Sequence, residues 1–287
     1  MKITNDCKIC LAEKYSKKCP NSLSVKEKEA FRLVVDRIID ENSDVSAPEI
    51  VEKINEYRLA NFGEIEDYSE IKRFFNALML TYEGKMRSVT DASDDPLCRA
   101  IQYAMGGNFI DFGAMNSVDE DKLCEILDSS SSIEIDKAIL ESLRTDIKSA
   151  KNIVFFTDNC GEIVADKVLM SEIKRENPNA CLVAILRGAP ILNDATLDDA
   201  EQVGLSFVAD RVMDNGNPVA GNVISRASAE ALDEILRADV LIAKGQGNFE
   251  TLSGCGLNVY YAFMCKCDLF VNRFGVPLYT GLLVKEK

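Results

Sequence analysis

From residue 151 the chain changes rhythm, and that change constrains its fold more than any other feature. Short apolar runs of strand length recur at 152–157, 181–187, 205–209 and 239–243, with helical patterns to about 175, near 196–203 and at 228–237. Runs that are apolar throughout, rather than alternating, suit strands buried on both faces. Strands separated by helices imply right-handed crossovers and a mainly parallel sheet flanked by helices, a Rossmann-like α/β arrangement. The tail from Tyr260 to Val284, with β-branched and aromatic runs around Gly275-Val-Pro277, predicts one or two further edge strands.

Before residue 151 the pattern is helical. Val25 to Ile39 places Phe31, Val34, Val35, Ile38 and Ile39 at three- and four-residue spacing. Ser46-Ala-Pro-Glu49 opens a helix through Tyr57 with an N-cap and an early proline. Tyr68–Tyr82, Pro96–Met105 and Asp136–Ile147 read as further helices, and Ser129–Ser132 as a surface linker. The expected division is a Cys-bearing N-terminal segment and helical subdomain at 1–149 and an α/β domain at 150–287. Residues 1–22 look too polar to anchor themselves by burial.

At 287 residues the chain can bury a large core. Its formal charge of −14 argues against a nucleic-acid surface and repels free anions, so a phosphate ligand would need a metal or a local cation beside it. No apolar run approaches the ~20 residues of a membrane span. The opening Met-Lys-Ile-Thr-Asn-Asp-Cys lacks a signal peptide's apolar segment, so the expected location is cytoplasmic. Histidine is absent, which leaves Asp, Glu, Asn and Cys as metal ligands. The ten cysteines are expected to be reduced, metal-bound or redox-active rather than structural disulfides.

Polar residues gather at the carboxyl ends of the predicted strands, where open α/β sheets bind ligands. Asp158 and Asn159 follow the first run, Asp194 follows the second, and Lys244 ends the last. Two carboxylates, a carboxamide and an ammonium suit a hard divalent cation and a phosphate. Each residue also has a plainer explanation, since Asp and Asn commonly cap helices and Gly-rich loops commonly join elements. Asp158-Asn-Cys-Gly-Glu162 offers a tight strand-to-helix turn at Gly161, and Asn193 precedes Asp194. In Lys244-Gly245-Gln-Gly-Asn248-Phe-Glu250 the glycines allow backbone amides to approach an anion. The segment is neither a phosphate-binding P-loop nor a dinucleotide fingerprint. Asn108 and Asp111, after Gly106-Gly107, are candidates to line the same crevice. Cys7-x-x-Cys10, Cys19 and Cys265-x-Cys267 form a separate group, readable as structural zinc, a second metal, a redox cluster or idle thiols.

Asp158-Asn-Cys-Gly-Glu162 with Asp166, Asn193-Asp194, Lys-Gly-Gln-Gly-Asn-Phe-Glu250 and Gly-Asn-Phe-Ile-Asp111 together resemble the damage-control metal-dependent phosphatases, once catalogued as domain of unknown function eighty-nine. The resemblance runs from about residue 7 to the end, and the leading Cys-x-x-Cys is similar to the short prokaryotic branch. It implies one divalent metal (Mn, Ni, Co or Mg) on Asp158, Asn159 and Asp194, with Lys244 on phosphate. Glu162, Asn193, Gly245, Asn248 and Glu250 would border the substrate. The implied reaction is hydrolysis of small phosphometabolites such as sugar phosphates. Metal-activated water fits better than an aspartyl-phosphate, because the position two after Asp158 is Cys160. Two alternatives stay open: an S-adenosylmethionine-dependent carboxyl methyltransferase, and a non-catalytic Cys-based metal-binding module. A homo-oligomer remains compatible with the sequence.

Overall fold

The apolar runs become the centre of a single sheet. The computed structural model describes residues 1–63, 66–110 and 120–286. Its strands are β1 (Asn152–Phe156), β2 (Cys181–Leu186), β3 (Arg211–Asp214), β4 (Val240–Lys244), β5 (Val259–Met264) and β6 (Gly281–Glu286). They form one six-stranded sheet in the order β3-β2-β1-β4-β5-β6. All neighbours are parallel except β6, which runs antiparallel to β5 at the edge.

Helices precede and separate the strands: α1 (Asn5–Tyr15), α2 (Val25–Glu41), α3 (Ala47–Phe62), α4 (Ser69–Asp91), α5 (Pro96–Gly107), α6 (Glu120–Ser129) and α7 (Lys137–Ser149) come first. Then α8 (Glu162–Glu176), α9 (Leu197–Val203), α10 (Ala229–Arg237), α11 (Gly245–Leu252) and α12 (Asp268–Phe274) alternate with strands. The two-residue period of a strand sorts the core into two layers. Ile153 and Phe155 face a layer built with α4, α5, α7, α8 and α9. Val154 and Phe156 face the opposite layer, built with α10, α11 and α12. Among the described residues, no helix is long and apolar enough to cross a membrane.

Apolar packing does not break at 149/150, because α4, α5 and α7 share one core with the sheet. Among the described residues, α1 to α3 form a cluster of their own, around Phe31, Val35, Ile50 and Ile54. Leu11 and Tyr15 of α1 are buried in it, so the first 22 residues are anchored by burial after all. This small unit is tied to the sheet half by Arg226, whose guanidinium donates to both oxygens of the buried Glu52 carboxylate. Ser24 opens α2 with a capping box: its Oγ accepts from Glu27 N at 3.4 Å, and its own N–H donates to Glu27 Oε2 at 2.8 Å. Ser24→Ala is expected to lower stability by about 1 kcal/mol in urea unfolding; an unchanged midpoint and slope would show that the cap contributes nothing.

Two sequence expectations are corrected. The strand expected at 205–209 is a 3-10 turn, Leu205–Phe207, with Phe207 88% exposed. The strand in fact lies at Arg211–Asp214, in the stretch expected to be a loop. The serine run continues from the end of α6 into a 3-10 turn, with Ser130 buried and its Oγ accepting from Arg99 Nη1 at 3.0 Å. The tail supplies the expected edge strand, β6, and a second strand, β5, that lies inside the sheet.

Candidate active site

β1 has β2 on one side and β4 on the other, so the chain reverses direction across the sheet at the β1/β4 boundary. Loops part at such a switch point and leave a crevice. Asp158 and Asn159 follow β1, Asp194 follows β2, and Gly245 follows β4. Backbone bonds stitch the first two loops together: Ala195 N donates to Asp158 O at 2.7 Å and Cys160 N to Asn193 O at 2.8 Å. Asn159 and Asp194 pair as an isolated antiparallel bridge. The two acidic side chains are thereby held together by main chain. Gly161, at φ +69°, then turns the chain into α8, and its N–H donates to Asn76 Oδ1 at 2.6 Å.

The capping explanation fails for all three polar residues. Gly161 stands at the N-cap of α8, and Thr196, with Asp199, caps α9. Asp158, Asn159 and Asp194 are instead buried beside one another. Between the two carboxylates lies Arg187, fully buried, with Nε donating to Asp194 Oδ2 at 2.6 Å and Nη2 to Asp158 Oδ1 at 3.2 Å. Its Nη1 donates to Asn248 Oδ1 at 3.1 Å. The other Asp158 oxygen accepts from Asn159 Nδ2 at 2.7 Å and Asn108 Nδ2 at 3.1 Å. Burial, then the negative charges of Glu162 and Asp194, push the Asp158 carboxyl well above its ordinary range, with Arg187 and Lys266 opposing. Sequence reasoning passed over Arg187 as a functional residue, although it follows a buried strand as directly as Asp158 does. Lys266 lies between Cys265 and Cys267, and sequence reasoning assigned that segment to the cysteine group.

Lys244 is placed differently from its expected role on phosphate. It is fully buried, and its Nζ donates to Ala104 O at 2.8 Å, Glu162 Oε1 at 2.5 Å and Asp166 Oδ1 at 2.8 Å. An ammonium has three N–H donors, so all of them are committed inside the protein. Burial alone would lower its pKa, but Asp166 and Glu162 more than offset this and hold the lysine charged. Glu162 in turn accepts at Oε2 from Asn108 Nδ2 (2.8 Å) and Asn159 Nδ2 (2.9 Å).

The residues expected to border substrate divide. Asn108 is central, since its Oδ1 also accepts from Met264 N at 2.9 Å and ties the site to β5. Asn193 and Asn248 act as scaffold. Asn193 Nδ2 donates to Ile110 O at 3.1 Å, and Asn248 Nδ2 donates to Thr157 O and Lys244 O at 3.0 and 2.7 Å. Gly245, at φ +79°, lets β4 come so close that a Cβ there would fall onto the Asp158 carboxylate. The Glu250 carboxylate faces the Met1 ammonium, Cys7 and Cys267. Asp111 lies outside the described residues. A cavity of about 480 Å³ lies beyond the 190–192 loop, lined in part by Tyr68, Lys72, Ile191 and Leu192. It approaches Asp194 through Ile191, whose carbonyl accepts the Asp194 N–H at 3.1 Å.

The ten cysteines are free thiols, in keeping with the reduced state expected of them; Cys10 is exposed, and Glu250 and Cys267 both lie close enough to Cys7 to disfavour its thiolate. Burial raises the pKa of Cys7, Cys265 and Cys267. Among the described residues, no group of three or more Cys, Asp or Glu side chains is disposed to hold a metal ion. For an ion on Asp158 and Asp194, the Asn159 amide oxygen is the candidate third side-chain ligand.

Residues 3–282 match the family model described as the damage-control phosphatase ARMT1-like domain. An uncharacterized protein of Methanocaldococcus jannaschii is 31% identical over 298 positions, covering 100% of this chain and 96% of that protein. A damage-control phosphatase of Archaeoglobus fulgidus is 30% identical, covering 75% of this chain and 74% of its own. The crystal structure of a DUF89 family protein from Pyrococcus horikoshii superposes over 100% of both chains with a TM-score of 0.77 and 25% identity. A model spanning nearly the whole sequence, together with a shared fold of the same extent, makes this chain a member of the damage-control phosphatase ARMT1-like family, formerly DUF89.

Proposed function

We propose that the protein is a metal-dependent phosphomonoesterase acting on small phosphorylated metabolites, with its centre at Asp158, Asn159 and Asp194. The observation that carries this reading is the pair of buried carboxylates, Asp158 and Asp194, that main-chain bonds bring to either side of Arg187 at the switch point. The donor chemistry fits a divalent cation: two hard carboxylates and one amide oxygen, in an acidic cluster that Arg187 only partly neutralises. Bound there, such an ion would polarise the phosphoryl group and lower the pKa of a water molecule.

The chain's own residues would do the rest. Asn108 and Asn159 hold Asp158 from one side and Arg187 from the other, which fixes the carboxylate before substrate arrives. Arg187 and Lys266 are the cations beside Asp158 and would offset phosphoryl charge. Lys244 would act behind them, by holding Glu162.

The test combines Mn²⁺ calorimetry with phosphate release from sugar and nucleotide phosphates, with and without Mn, Ni, Co and Mg. Turnover that chelation removes and a divalent ion restores is expected, with Asp194→Asn losing metal and activity together. Binding of S-adenosylmethionine without divalent-ion binding would transfer support to a methyltransferase.

A further inference from the structure

We propose that Asp166 is a positioning residue for this centre: by sharing the Lys244 ammonium with Glu162, it sets the aim of the Glu162 carboxylate and, through it, of the Asn108 and Asn159 amides that hold Asp158. The inference rests on the reading of Asp158 as a metal ligand and adds a residue set behind it.

The chain of contacts is continuous. Asp166 Oδ1 accepts from Lys244 Nζ at 2.8 Å, and Lys244 Nζ donates to Glu162 Oε1 at 2.5 Å. Glu162 Oε2 accepts from both asparagine amides. Each amide divides its donors between Glu162 Oε2 and Asp158 Oδ2. Asp166, Glu162 and Lys244 are all fully buried. Asp166 and Glu162 stand one turn apart on α8, with Lys244 reaching between them from β4.

Two features set this triad apart from a stabilising ion pair. A buried ionic group is weak grounds for stability, since well-packed apolar residues of similar volume do as well or better. Among the described residues, Asp166 Oδ2 moreover has no hydrogen-bond partner while buried, an arrangement that is destabilising. The carboxylate therefore spends stability at this position, and the consequence visible in the structure is the aim of Glu162. With three acceptors the ammonium is fixed. With the charge of one removed, the ammonium is no longer balanced between two carboxylates, and the aim of Glu162 shifts with it.

The charged groups facing Asp166 are Lys244 from β4 and Glu162 on its own helix, while α5 offers Lys244 the neutral Ala104 carbonyl. Burial pushes the Asp166 carboxyl up to about 7, against the pull of Lys244 and with the help of Glu162. Its charge, and so the division of Lys244 between two carboxylates, changes across the neutral range.

The experiment measures Mn²⁺ affinity by calorimetry at pH 6, 7 and 8 in the unaltered protein, Asp166→Asn and Asp166→Glu. Asparagine keeps an oxygen for Lys244 and removes the charge. At pH 6, where Asp166 is mostly protonated, Asp166→Asn should bind Mn²⁺ nearly as well as the unaltered protein. At pH 8 it should bind about tenfold or more weakly, within the range for residues that orient metal ligands. Asp166→Glu, which keeps the charge, should retain the parent's pH dependence, and it preserves the test if the asparagine variant does not fold. The pH profile of kcat should lose its limb near neutrality in Asp166→Asn alone. Equal affinity of Asp166→Asn and parent at every pH, or a deficit that does not grow from pH 6 to 8, overturns the inference. If the unaltered protein binds no Mn²⁺ at all, the metal reading fails and the inference fails with it.

Discussion

Gly245→Ala is expected to remove Mn²⁺ binding and to lower kcat/KM by roughly 10²-fold, the scale of displacing a reacting group by about an ångström. Two physical effects meet at this residue. Its φ of +79° is strained for any residue with a Cβ, and that Cβ would occupy the place of the Asp158 carboxylate. The carboxylate has no easy retreat: Arg187 holds Oδ1, and Asn108 and Asn159 hold Oδ2. Either Asp158 moves off its partners or β4 withdraws from β1, and both open the crevice. Gly254→Ala separates the effects. Its φ is +80°, but nothing lies within 4 Å of its Cβ position. It should lose about 1–2 kcal/mol of stability from left-handed backbone strain and keep its turnover. Matched turnover in the two variants would show that the approach of β4 to Asp158 is irrelevant to catalysis.

The sheet was legible where strands are buried on both faces. Val154, Phe155, Leu182, Ala184, Leu241 and Ile242 are each at most 1% exposed, so their runs carry no polar interruption. Legibility failed at the edge. β3 pairs on one side only, and none of its residues is buried, so Arg-Val-Met-Asp carries no apolar signature. Leu-Ser-Phe-Val-Ala nearby carries one but leaves Phe207 in solvent. The acidic ligand candidates were legible for a related reason: a polar residue at the end of a buried strand is conspicuous against what precedes it. Their partners were not. Asn76 lies within α4 and meets Gly161 across 85 positions, and local periodicity carries no trace of such a contact. Lys244 was conspicuous for the right reason and assigned the wrong neighbour. Sequence position placed it at a strand end, but only the packing of α8 on the sheet reveals two carboxylates beneath it.

Lys244→Ala shows how far that difference reaches. A lysine that touches only phosphate could be removed with loss of turnover, while metal content and stability stayed intact. In this structure its removal leaves Glu162 and Asp166 buried without their cation, and breaking a buried pair in this way costs about 3–5 kcal/mol. The loss should depend on pH, and its sign follows from the partners. Asp166 already has a folded pKa raised to about 7, above its ordinary value of 3.8. A carboxyl so raised contributes stability that is full below the unfolded pKa and is lost as pH rises through the folded one. Without Lys244, two buried carboxyls rather than one must be kept protonated. Urea unfolding of Lys244→Ala should therefore show a modest deficit at pH 5 and a large one at pH 8. The unaltered protein keeps the lysine's contribution across that window, because Lys244 stays charged well beyond it. Adding Asp166→Asn to Lys244→Ala should recover part of the stability at pH 8, since one of the two stranded charges is gone. A single variant as stable as its parent at pH 8, deficient only in turnover, would return Lys244 to direct contact with the phosphoryl group and remove it from the support of Glu162.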